Sequence, residues 1–205
     1  MKKSTTVYID PSDLPAPQLK RKRNGQATKD AILDAAVHAF CEHGYDGVGL
    51  REIAKAAGVT AVLVNRYYGT KEDLFSAAVA VAFGGDNPFV GDPSTLATRF
   101  AKLLVTKTGA SDDGPDGLLL LLRSSANPKA AEILRVAIER SFATPLRSAL
   151  TGRDAALRTA LFLAQVAGFQ LMRQVIRLDA LSSAAERKIS MRLATMFEQQ
   201  LFDGG

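Results

Sequence analysis

The stretch from residue 50 to residue 75, LREIAKAAGVTAVLVNRYYGTKEDLF, constrains the fold more than any other part of the sequence. Its first apolar residues recur at helical spacing, at Leu50, Ile53, Ala54 and Ala57. This spacing predicts one apolar stripe on a helix of about two turns. Gly58 follows directly, and a glycine at a helix end permits the left-handed conformation that closes the helix. A short helix and a sharp turn are therefore expected.

A second short helix is expected after the turn. Thr60 is a residue type that can cap a helix start, although Leu63 cannot complete a capping box. Val64 and Tyr68 are four residues apart and, with Val59, are expected to face inward. The outer side is left to Ala61, Val62, Asn65, Arg66 and Gly69. Two short helices joined by a glycine-containing turn are typical of a helix-turn-helix motif, although an ordinary packed helical hairpin has the same pattern.

The outer side chains suit the major groove of double-stranded DNA. Asn65 can pair with adenine, Arg66 can bind a guanine edge or a phosphate, and small apolar side chains can contact a thymine methyl group. Tyr67 and Lys71 can bind phosphates, which positions a protein without reading sequence. The predicted DNA-binding residues of this segment are Thr60, Ala61, Val62, Asn65, Arg66, Tyr67 and Lys71.

The run from residue 28 to residue 75 resembles the DNA-binding domain of the TetR family of transcriptional regulators. The shared pattern is an apolar first helix, AILDAAVHAF, then Gly and Tyr, then IAKAAGV, and then an aromatic pair before KEDL. The resemblance implies DNA binding, a dimer joined by its last long helices and a small-molecule effector. Departures from the family pattern at Val48-Gly49, Val62-Leu63 and Asn65 imply an operator unlike the family's commonest ones.

Residues 1–25 are predicted to form a disordered basic arm. This stretch contains three prolines, lacks a hydrophobic period and ends shortly after the run KRKR at residues 20–23. Arg21 and Arg23 can bind phosphates or enter a minor groove. A solubilising tail without specific contacts explains the same composition equally well. The net charge of +5 is compatible with a polyanionic partner but does not identify one.

The sequence predicts an all-α protein whose three-helix helix-turn-helix DNA-binding domain occupies residues 26–84. The first helix is expected near Thr28, and the helix after the motif is expected to be capped by Thr70 and Asp73. The run GGDNP at residues 84–88 ends that helix and marks a boundary. Residues 85–205 show no strand alternation and predict a helical-bundle domain for effector binding and dimerisation.

The segment from residue 153 to residue 178 is predicted to contribute to a dimer interface. It carries a row of small residues that lets another helix approach closely, at Ala156, Ala160, Ala164 and Gly168, and then Met172. The last helix, with a capping box formed by Ser183 and Glu186, adds Leu193 and Phe197. We expect both helices to pair with their symmetry mates in a four-helix homodimer interface. A fully internal hairpin in a monomer is the alternative.

An apolar effector pocket is predicted in the second half of the chain. Its candidate lining residues are Phe83, Phe100, Leu104, Leu120, Arg123, Phe142 and Phe169, with Phe89 and Ile138 as further apolar candidates. The candidate polar anchors are Arg99, Arg123, Gln165 and Arg173. Each of these residues is more often plain core or solvated surface than a ligand contact. A pocket of this composition suits a hydrophobic or amphipathic small molecule.

The sequence offers no catalytic, cofactor or metal motif. It has no glycine-rich phosphate loop, and His38 and His43 lack further metal ligands nearby. The longest uncharged helical stretch, residues 159–172, is shorter than a membrane span, and the amino terminus lacks an apolar signal region. We therefore expect a cytoplasmic, ligand-responsive repressor without enzyme activity, cofactor or membrane partner. The alternative is a helical small-molecule sensor or carrier that has lost specific DNA reading.

Overall fold

The computed structural model describes residues 18–84, 89–107 and 116–202, and every regular element within those ranges is helical. This confirms the all-α prediction. The α-helices are α1 (Gln18–His43), α2 (Leu50–Ala56), α3 (Ala61–Tyr68), α4 (Lys71–Ala82), α5 (Leu96–Lys107), α6 (Gly117–Ser124), α7 (Pro128–Ile138), α8 (Thr144–Ala149), α9 (Ala155–Gln170), α10 (Asp179–Ser182) and α11 (Glu186–Phe202). A 3-10 turn spans Pro93–Thr95, and π-helical turns span Glu139–Ala143 and Leu171–Val175.

The first helix begins well before the position that the sequence suggested. It starts at Gln18 and not near Thr28, so the prediction of a disordered arm is wrong for residues 18–25. The prediction took the lack of an apolar period as disorder. Lys, Arg and Gln are good helix formers, and they extend a helix that the apolar stripe farther along has already nucleated. The rest of the predicted arm, residues 1–17, lies outside the described residues.

The first hydrophobic core combines the three-helix unit with two helices from beyond the predicted domain boundary. Leu120 of α6 and Leu134 of α7 are buried together with Phe40, Phe75 and other residues of α1 to α4. The Phe40 and Phe75 rings meet edge to face with centroids 5.0 Å apart. The predicted boundary between residues 26–84 and 85–205 therefore does not coincide with a boundary between hydrophobic cores. Helices α6 and α7, which lie beyond it, complete the first core.

Polar contacts fix the same junction. The backbone N–H of Tyr45 donates to the buried Oγ of Ser124 over 3.0 Å. Nδ2 of Asn127, the N-cap of α7, donates to Asp46 Oδ1 over 2.9 Å. Gly44 has a φ of +71°, and a Cβ atom there would lie 2.3 Å from the carbonyl oxygen of Arg123. The end of α1 and the end of α6 are thus in backbone contact.

The second core lies among α5, α8, α9 and α11. Phe162 of α9 is fully buried, and its ring centroid lies 5.0 Å from that of Phe100 and 4.7 Å from that of Phe197. Leu193 and Phe197 are 6% and 0% exposed in this core, so their assignment to the dimer interface is wrong. The apolar stripe of α5 needs a partner, and α11 supplies it within the same protomer.

A proline in the interior of a helix is expected to kink or break it, and Ser183 was predicted to cap the last helix. The structure differs from both expectations. Pro145 does not break the helix from Pro128 to Ala149, because a π-helical turn precedes it and the N–H of Thr144 donates to the carbonyl of Glu139, five residues back. Ser183 does not cap the last helix. Its Oγ donates to the carbonyl of Asp179 over 2.6 Å and so closes α10.

The helix that continues from α9 through its π-helical turn, Ala155–Val175, has 21 residues and is long and apolar enough to cross a membrane by length and composition alone. The expectation of a segment too short for this is therefore wrong. Only 22% of its most apolar window is buried. These criteria do not distinguish a membrane span from a helix that another protein chain covers.

Replacing Ser124 by Ala tests the junction between α1 and α6. We expect the free energy of unfolding to fall by about 1–3 kcal/mol, because the N–H of Tyr45 would remain buried without an acceptor. Ser125→Ala, the adjacent exposed position, is the control and should change it by less than about 0.5 kcal/mol. Urea denaturation at one protomer concentration measures both variants. Equal effects of the two changes would contradict the role given to Ser124.

Candidate nucleic-acid interface

The residues of the α2–turn–α3 segment adopt the predicted helix-turn-helix. Gly58 has a φ of +68°, and the N–H of Val59 donates to the carbonyl of Ala54 over 2.9 Å, which closes the turn. Ile53 of α2 and Val64 of α3 are both 0% exposed and anchor the two helices in the first core. The carboxylate of Glu52 accepts from the N–H of Gly49 over 2.6 Å and fixes the start of α2.

The outer face of α3 is open. Val62 is 76% exposed, and Asn65 and Arg66 are also exposed, whereas Ala61 is half-buried. Thr60 is exposed at the N-cap position, but its side chain makes no capping hydrogen bond. The expected cap is thus present in backbone geometry only. The face offers a methyl-rich side chain, an amide and a guanidinium to a partner, which are the groups that read base edges in a major groove.

The two tyrosines of the aromatic pair attach the end of α3 to α1. The hydroxyl of Tyr68 donates to the carbonyl of Lys29 over 2.9 Å, and burial raises the pKa of this hydroxyl. The hydroxyl of Tyr67 lies beside α1, at 3.4 Å from where a Cβ atom on Gly25 would be. Arg21 and Arg23 belong to the turn of α1 that precedes Gly25. The basic run therefore belongs to α1, the helix against which the end of α3 packs.

Lys29 is a residue at this surface that the sequence did not single out. Its Nζ lies 5.5 Å from the centroid of the Tyr68 ring, and its side chain is exposed. Lys29 and Tyr68 are 39 positions apart, and no local pattern indicates that they meet. Because the contact depends on how α1 crosses α3, only the fold reveals it.

Lys71 begins α4 immediately after the reading helix. Its Nζ lies 4.5 Å above the centroid of the Tyr45 ring, so its stem is held against the first core. The predicted capping box is confirmed: the N–H of Asp73 donates to Thr70 Oγ1 over 3.1 Å, and the N–H of Thr70 donates to Asp73 Oδ2 over 3.0 Å. These bonds fix the angle between α3 and α4.

The residues predicted to line one effector pocket are not brought together. Leu120 is buried in the first core, whereas Phe100 and Leu104 are buried in the second. Arg123 is exposed and donates to the carbonyl of Cys41. Phe83 meets Phe142, with ring centroids 5.6 Å apart. The prediction of a single cavity lined by all seven residues is wrong, because sequence spacing does not show which core each helix joins.

A cavity of about 440 Å³ lies elsewhere, between the end of α6, α7 and α9. None of these seven residues lines it, whereas Ile138, a further predicted lining residue, does. Its walls are formed by Leu121, Ser125, Ala131, Leu134, Arg135, Ile138, Glu139, Ala143, Arg147, Ala156, Thr159, Ala160 and Leu163. Ala156 and Ala160 also belong to the row of small residues predicted for the dimer interface, so this cavity borders that row.

The small-residue row faces away from the protomer. Ala156, Ala160, Ala164 and Gly168 are all exposed, and Met172 is 39% exposed. Leu157 and Leu161 beside them are 59% and 46% exposed.

Within the described residues no group of three or more His, Cys, Asp or Glu side chains could hold a metal ion.

Two family models match the chain. One, describing bacterial regulatory proteins of the tetR family, matches residues 32–78, and the other, describing a tetracyclin repressor-like C-terminal domain, matches residues 95–201. The second match alone spans more than half of the 205 residues. The chain therefore belongs to the TetR family, which is a family of transcriptional regulators.

Individual relatives agree with this assignment. The chain is 44% identical over 57 residues to the HTH-type transcriptional regulator AcrR of Shigella flexneri, covering 28% of this chain and 26% of AcrR. The chain thus spans about a quarter of the length of AcrR. The TetR-family regulator SCO0857 of Streptomyces coelicolor A3 is 29% identical with a TM-score of 0.57, covering 86% of this chain and 95% of SCO0857. NalD of Pseudomonas aeruginosa, at 18% identity and a TM-score of 0.67, covers 89% of this chain and 100% of NalD and shares the fold.

The capping box beneath the reading helix predicts a pH dependence. Hydrogen bonds from the hydroxyl and N–H of Thr70 hold the pKa of the Asp73 carboxyl below its usual value of about 3.9. A lowered pKa in the folded state adds stability above the unfolded value, and this stability is lost as the pH falls through the folded value. Asp73→Asn should therefore be less stable than the wild type near neutral pH, with a difference that shrinks below about pH 4.

Urea denaturation at several pH values measures this difference. Glu198→Gln, which removes an exposed carboxyl on α11 outside this capping box, is the control. A difference between Asp73→Asn and the wild type that stays constant from neutral to acid pH would contradict the role of the charged carboxylate.

Proposed function

We propose that the chain is a dimeric, DNA-binding transcriptional repressor that a small molecule releases from a pseudo-palindromic operator. The observation that carries this proposal is the outer face of α3, where Val62, Asn65 and Arg66 are exposed on a helix that the first core holds rigidly. Family membership supports the same function. The proposed site of action is the cytoplasm, where chromosomal DNA is accessible.

In this proposal α3 enters the major groove. Asn65 pairs with adenine, Arg66 binds a guanine edge, and Val62 contacts a thymine methyl group. Thr60 and Ala61 lie at the start of α3, which is the end of a recognition helix that contacts base edges in helix-turn-helix proteins.

Cations around α3 supply the phosphate contacts that set its register. Lys71 follows the reading helix, Lys29 lies over Tyr68, and Arg21 and Arg23 belong to the helix against which Tyr67 and Tyr68 pack. The basic run therefore has a helical support, which favours phosphate contacts over a freely moving tail. The role of Tyr67 is then to hold α3 against α1 and to offer its hydroxyl to a nearby phosphate.

A second copy of the chain is proposed to cover the exposed face of α9. Ala156, Ala160, Ala164 and Gly168 give a flat row on which another helix can lie closely, and Leu157, Leu161 and Met172 supply apolar area. Leaving so much contiguous apolar surface in water is unfavourable for a soluble monomer. Two copies related by a two-fold axis place two α3 helices on half-sites about 34–36 Å apart, or a multiple of this spacing.

The small molecule is proposed to act through α6 and α7. These helices complete the core beneath α1 and α4, so a rearrangement of the second half tilts the whole reading unit. A ligand that prefers the tilted arrangement weakens DNA binding by its coupling free energy, typically about 1–3 kcal/mol. The chain acts as a repressor in this proposal because the dimer occupies promoter DNA and excludes polymerase.

Selection of bound duplexes from a random DNA pool tests the function directly. The purified protein is used near physiological salt, where non-specific phosphate attraction is weakened relative to base reading. We expect an enriched pseudo-palindrome whose half-site spacing matches the two-fold dimer. A folded protein that enriches no sequence would overturn the proposal and favour a ligand sensor that does not read DNA.

Arg66→Ala should weaken binding to the selected operator by about 1–3 kcal/mol and relax the preference at one base position of each half-site. Loss of a base contact removes discrimination, whereas loss of a phosphate contact weakens all sequences alike. Lys102→Ala makes the same change of charge at an exposed position of α5 and should leave the DNA affinity unchanged. Fluorescence anisotropy with the operator and single-base variants distinguishes the two cases, and a uniform loss would contradict base reading by Arg66.

Ala164→Glu should convert the dimer to a monomer, because it places a carboxylate on the small-residue row of each copy. The side chain is exposed in the protomer, so the helical content should be retained. Thr98→Glu on the exposed side of α5 is the control and should remain dimeric. Sedimentation equilibrium gives the mass, and operator affinity should fall by on the order of 10² or more as the two heads become independent. A dimeric Ala164→Glu protein would refute this interface.

A further inference from the structure

Arg173 is a buried cation whose hydrogen bonds are incomplete. It lies in the π-helical turn Leu171–Val175, and the residue is 8% exposed. Its Nη2 lies 3.5 Å from a carboxylate oxygen of Glu186, whose own side chain is 61% exposed. Its Nη1 is buried and has no hydrogen-bond partner among the residues that the structure describes. The guanidinium is therefore only partly compensated.

An arrangement of this kind is unfavourable unless something else completes it. A guanidinium can donate five hydrogen bonds in a fixed plane, and a buried donor left without an acceptor lowers stability. A contact of 3.5 Å to a largely exposed carboxylate is longer than a charge-assisted hydrogen bond of about 2.7–2.9 Å. The Nη1 edge is buried and lacks an acceptor among the described residues, and a carboxylate matches the planar geometry of the guanidinium.

Other buried side-chain atoms on the same helix also lack a hydrogen-bond partner among the described residues, namely Arg158 Nε, Thr159 Oγ1 and Gln165 Oε1. Gln165 precedes Arg173 by two helical turns, a rise of about 12 Å between Cα atoms. Phe169 lies between them, and its ring centroid is 5.9 Å from Cζ of Arg173. The helix thus presents an acceptor, an aromatic ring and a donor in sequence along one side.

The surroundings of Phe169, between Gln165 and Arg173, are apolar. Val166, Phe169 and Phe142 are half-buried and pack against the second core. The Phe83 ring at the end of α4 meets Phe142 and lies against the start of α6, where a Cβ atom on Gly117 would be 2.7 Å from it. Of the other predicted anchors, Arg123 donates to Cys41, and Arg99 donates to Val90 and Thr95. Arg99 Nη2 is also buried without a partner among the described residues, but Arg99 lies on α5, whereas Gln165 and Arg173 each lie four residues from Phe169 along one helix.

We propose that Arg173 and Gln165 bind the effector, and that the effector is an amphipathic monocarboxylic acid bearing a hydroxyl group. The carboxylate binds the guanidinium of Arg173, the hydroxyl donates to Oε1 of Gln165, and the apolar body lies along Phe169. This inference rests on the proposed function for its regulatory meaning, but the binding itself does not depend on DNA. It names a ligand class by the groups that the protein leaves unpaired.

The position of Arg173 also links such a ligand to the reading unit. The next residue, Gln174, donates to Asp116 Oδ2 over 2.6 Å. Oδ1 of Asp116 caps α6 by accepting from the N–H groups of Leu118 and Leu119. The other end of α6 carries Ser124, which binds the backbone of Tyr45. A carboxylate that binds Arg173 would therefore contact the π-helical turn. The same turn is hydrogen-bonded, through Gln174, to the N-cap residue of α6.

The test uses the 205-residue chain without DNA. The ligands are a series of ω-hydroxy acids with 6 to about 14 carbons, the matched ω-hydroxy amides and the unsubstituted acids. Thermal unfolding and isothermal titration calorimetry measure binding. We expect at least one hydroxy acid, with 10-hydroxydecanoate as the reference probe, to raise Tm, and we expect its amide to bind about tenfold or more weakly. The unsubstituted acid should bind with intermediate affinity.

Three variants assign the contacts. Arg173→Met keeps an apolar side chain of similar length, should fold because it removes an incompletely paired charge, and should lose the preference for acid over amide. Gln165→Leu should lose the preference for the hydroxylated acid while keeping that for the carboxylate. Arg177→Met changes an exposed arginine one turn farther on and should bind as the wild type does. If Arg173→Met does not fold, Arg173→Lys replaces it in the test. This variant should bind the acid more weakly than the wild type does but should still bind it.

Either of two results would overturn the inference: no acid of the series binds, or acid and amide bind equally to the wild type. Operator selection separates this failure from failure of the proposed function. A protein that selects an operator but binds no acid retains the regulatory function without this ligand class. A protein that binds the acid through Arg173 but selects no DNA retains the ligand site and loses the proposed repressor function.

Discussion

The hydrogen bond from the N–H of Tyr45 to Ser124 Oγ marks the contact on which the rest of the structure depends. Around it, Gly44 lies against the backbone of Arg123, and Leu120 and Leu134 enter the core of α1 to α4. A three-helix unit of this size buries little apolar surface by itself. The second half of the chain therefore supplies part of the core that keeps α3 in place.

This dependence is the structural basis of the proposed coupling between a ligand and the reading helix. The turn between α3 and α4 is fixed by the Thr70–Asp73 capping box, and α4 in turn contacts α6 and α7. Lys129 on α7 donates to Glu72 on α4 over 2.7 Å, although this exposed ion pair contributes little to stability. Both contacts lie in the first turn of α4, so they fix this end of the helix relative to α3 and α7. In the proposed mechanism, movement of α6 and α7 reaches α3 through α4.

The sequence predicted the local elements well and the assignment of helix faces poorly. Gly58, the Ile53–Ala54 stripe and the Thr70–Asp73 box act within a few residues, so spacing alone located α2, α3 and α4. Leu193 and Phe197 were assigned to a partner subunit because an apolar stripe shows that a helix is covered but not by what. The same limit applies to the seven residues of the predicted pocket, which the fold distributes between two cores. The early start of α1 was missed because a polar helical extension has no hydrophobic period.

The continuous helix from Ala155 to Val175 has an inner side that faces the second core and an outer side that is exposed. The residues on the two sides differ accordingly. On the inner side Arg158 donates to the carbonyls of Thr151 and Leu201, and Phe162 fills the second core. Arg173 continues this inner side into the π-helical turn, where the hydrogen bonds are left incomplete. On the outer side the residues are small or apolar and exposed, from Ala156 to Gly168. A π-helical turn inserts one extra residue into a helix and rotates the residues beyond it. The small-residue row from Ala156 to Gly168 precedes this turn and Met172 lies within it, so the turn sets how the exposed apolar surface continues beyond the row.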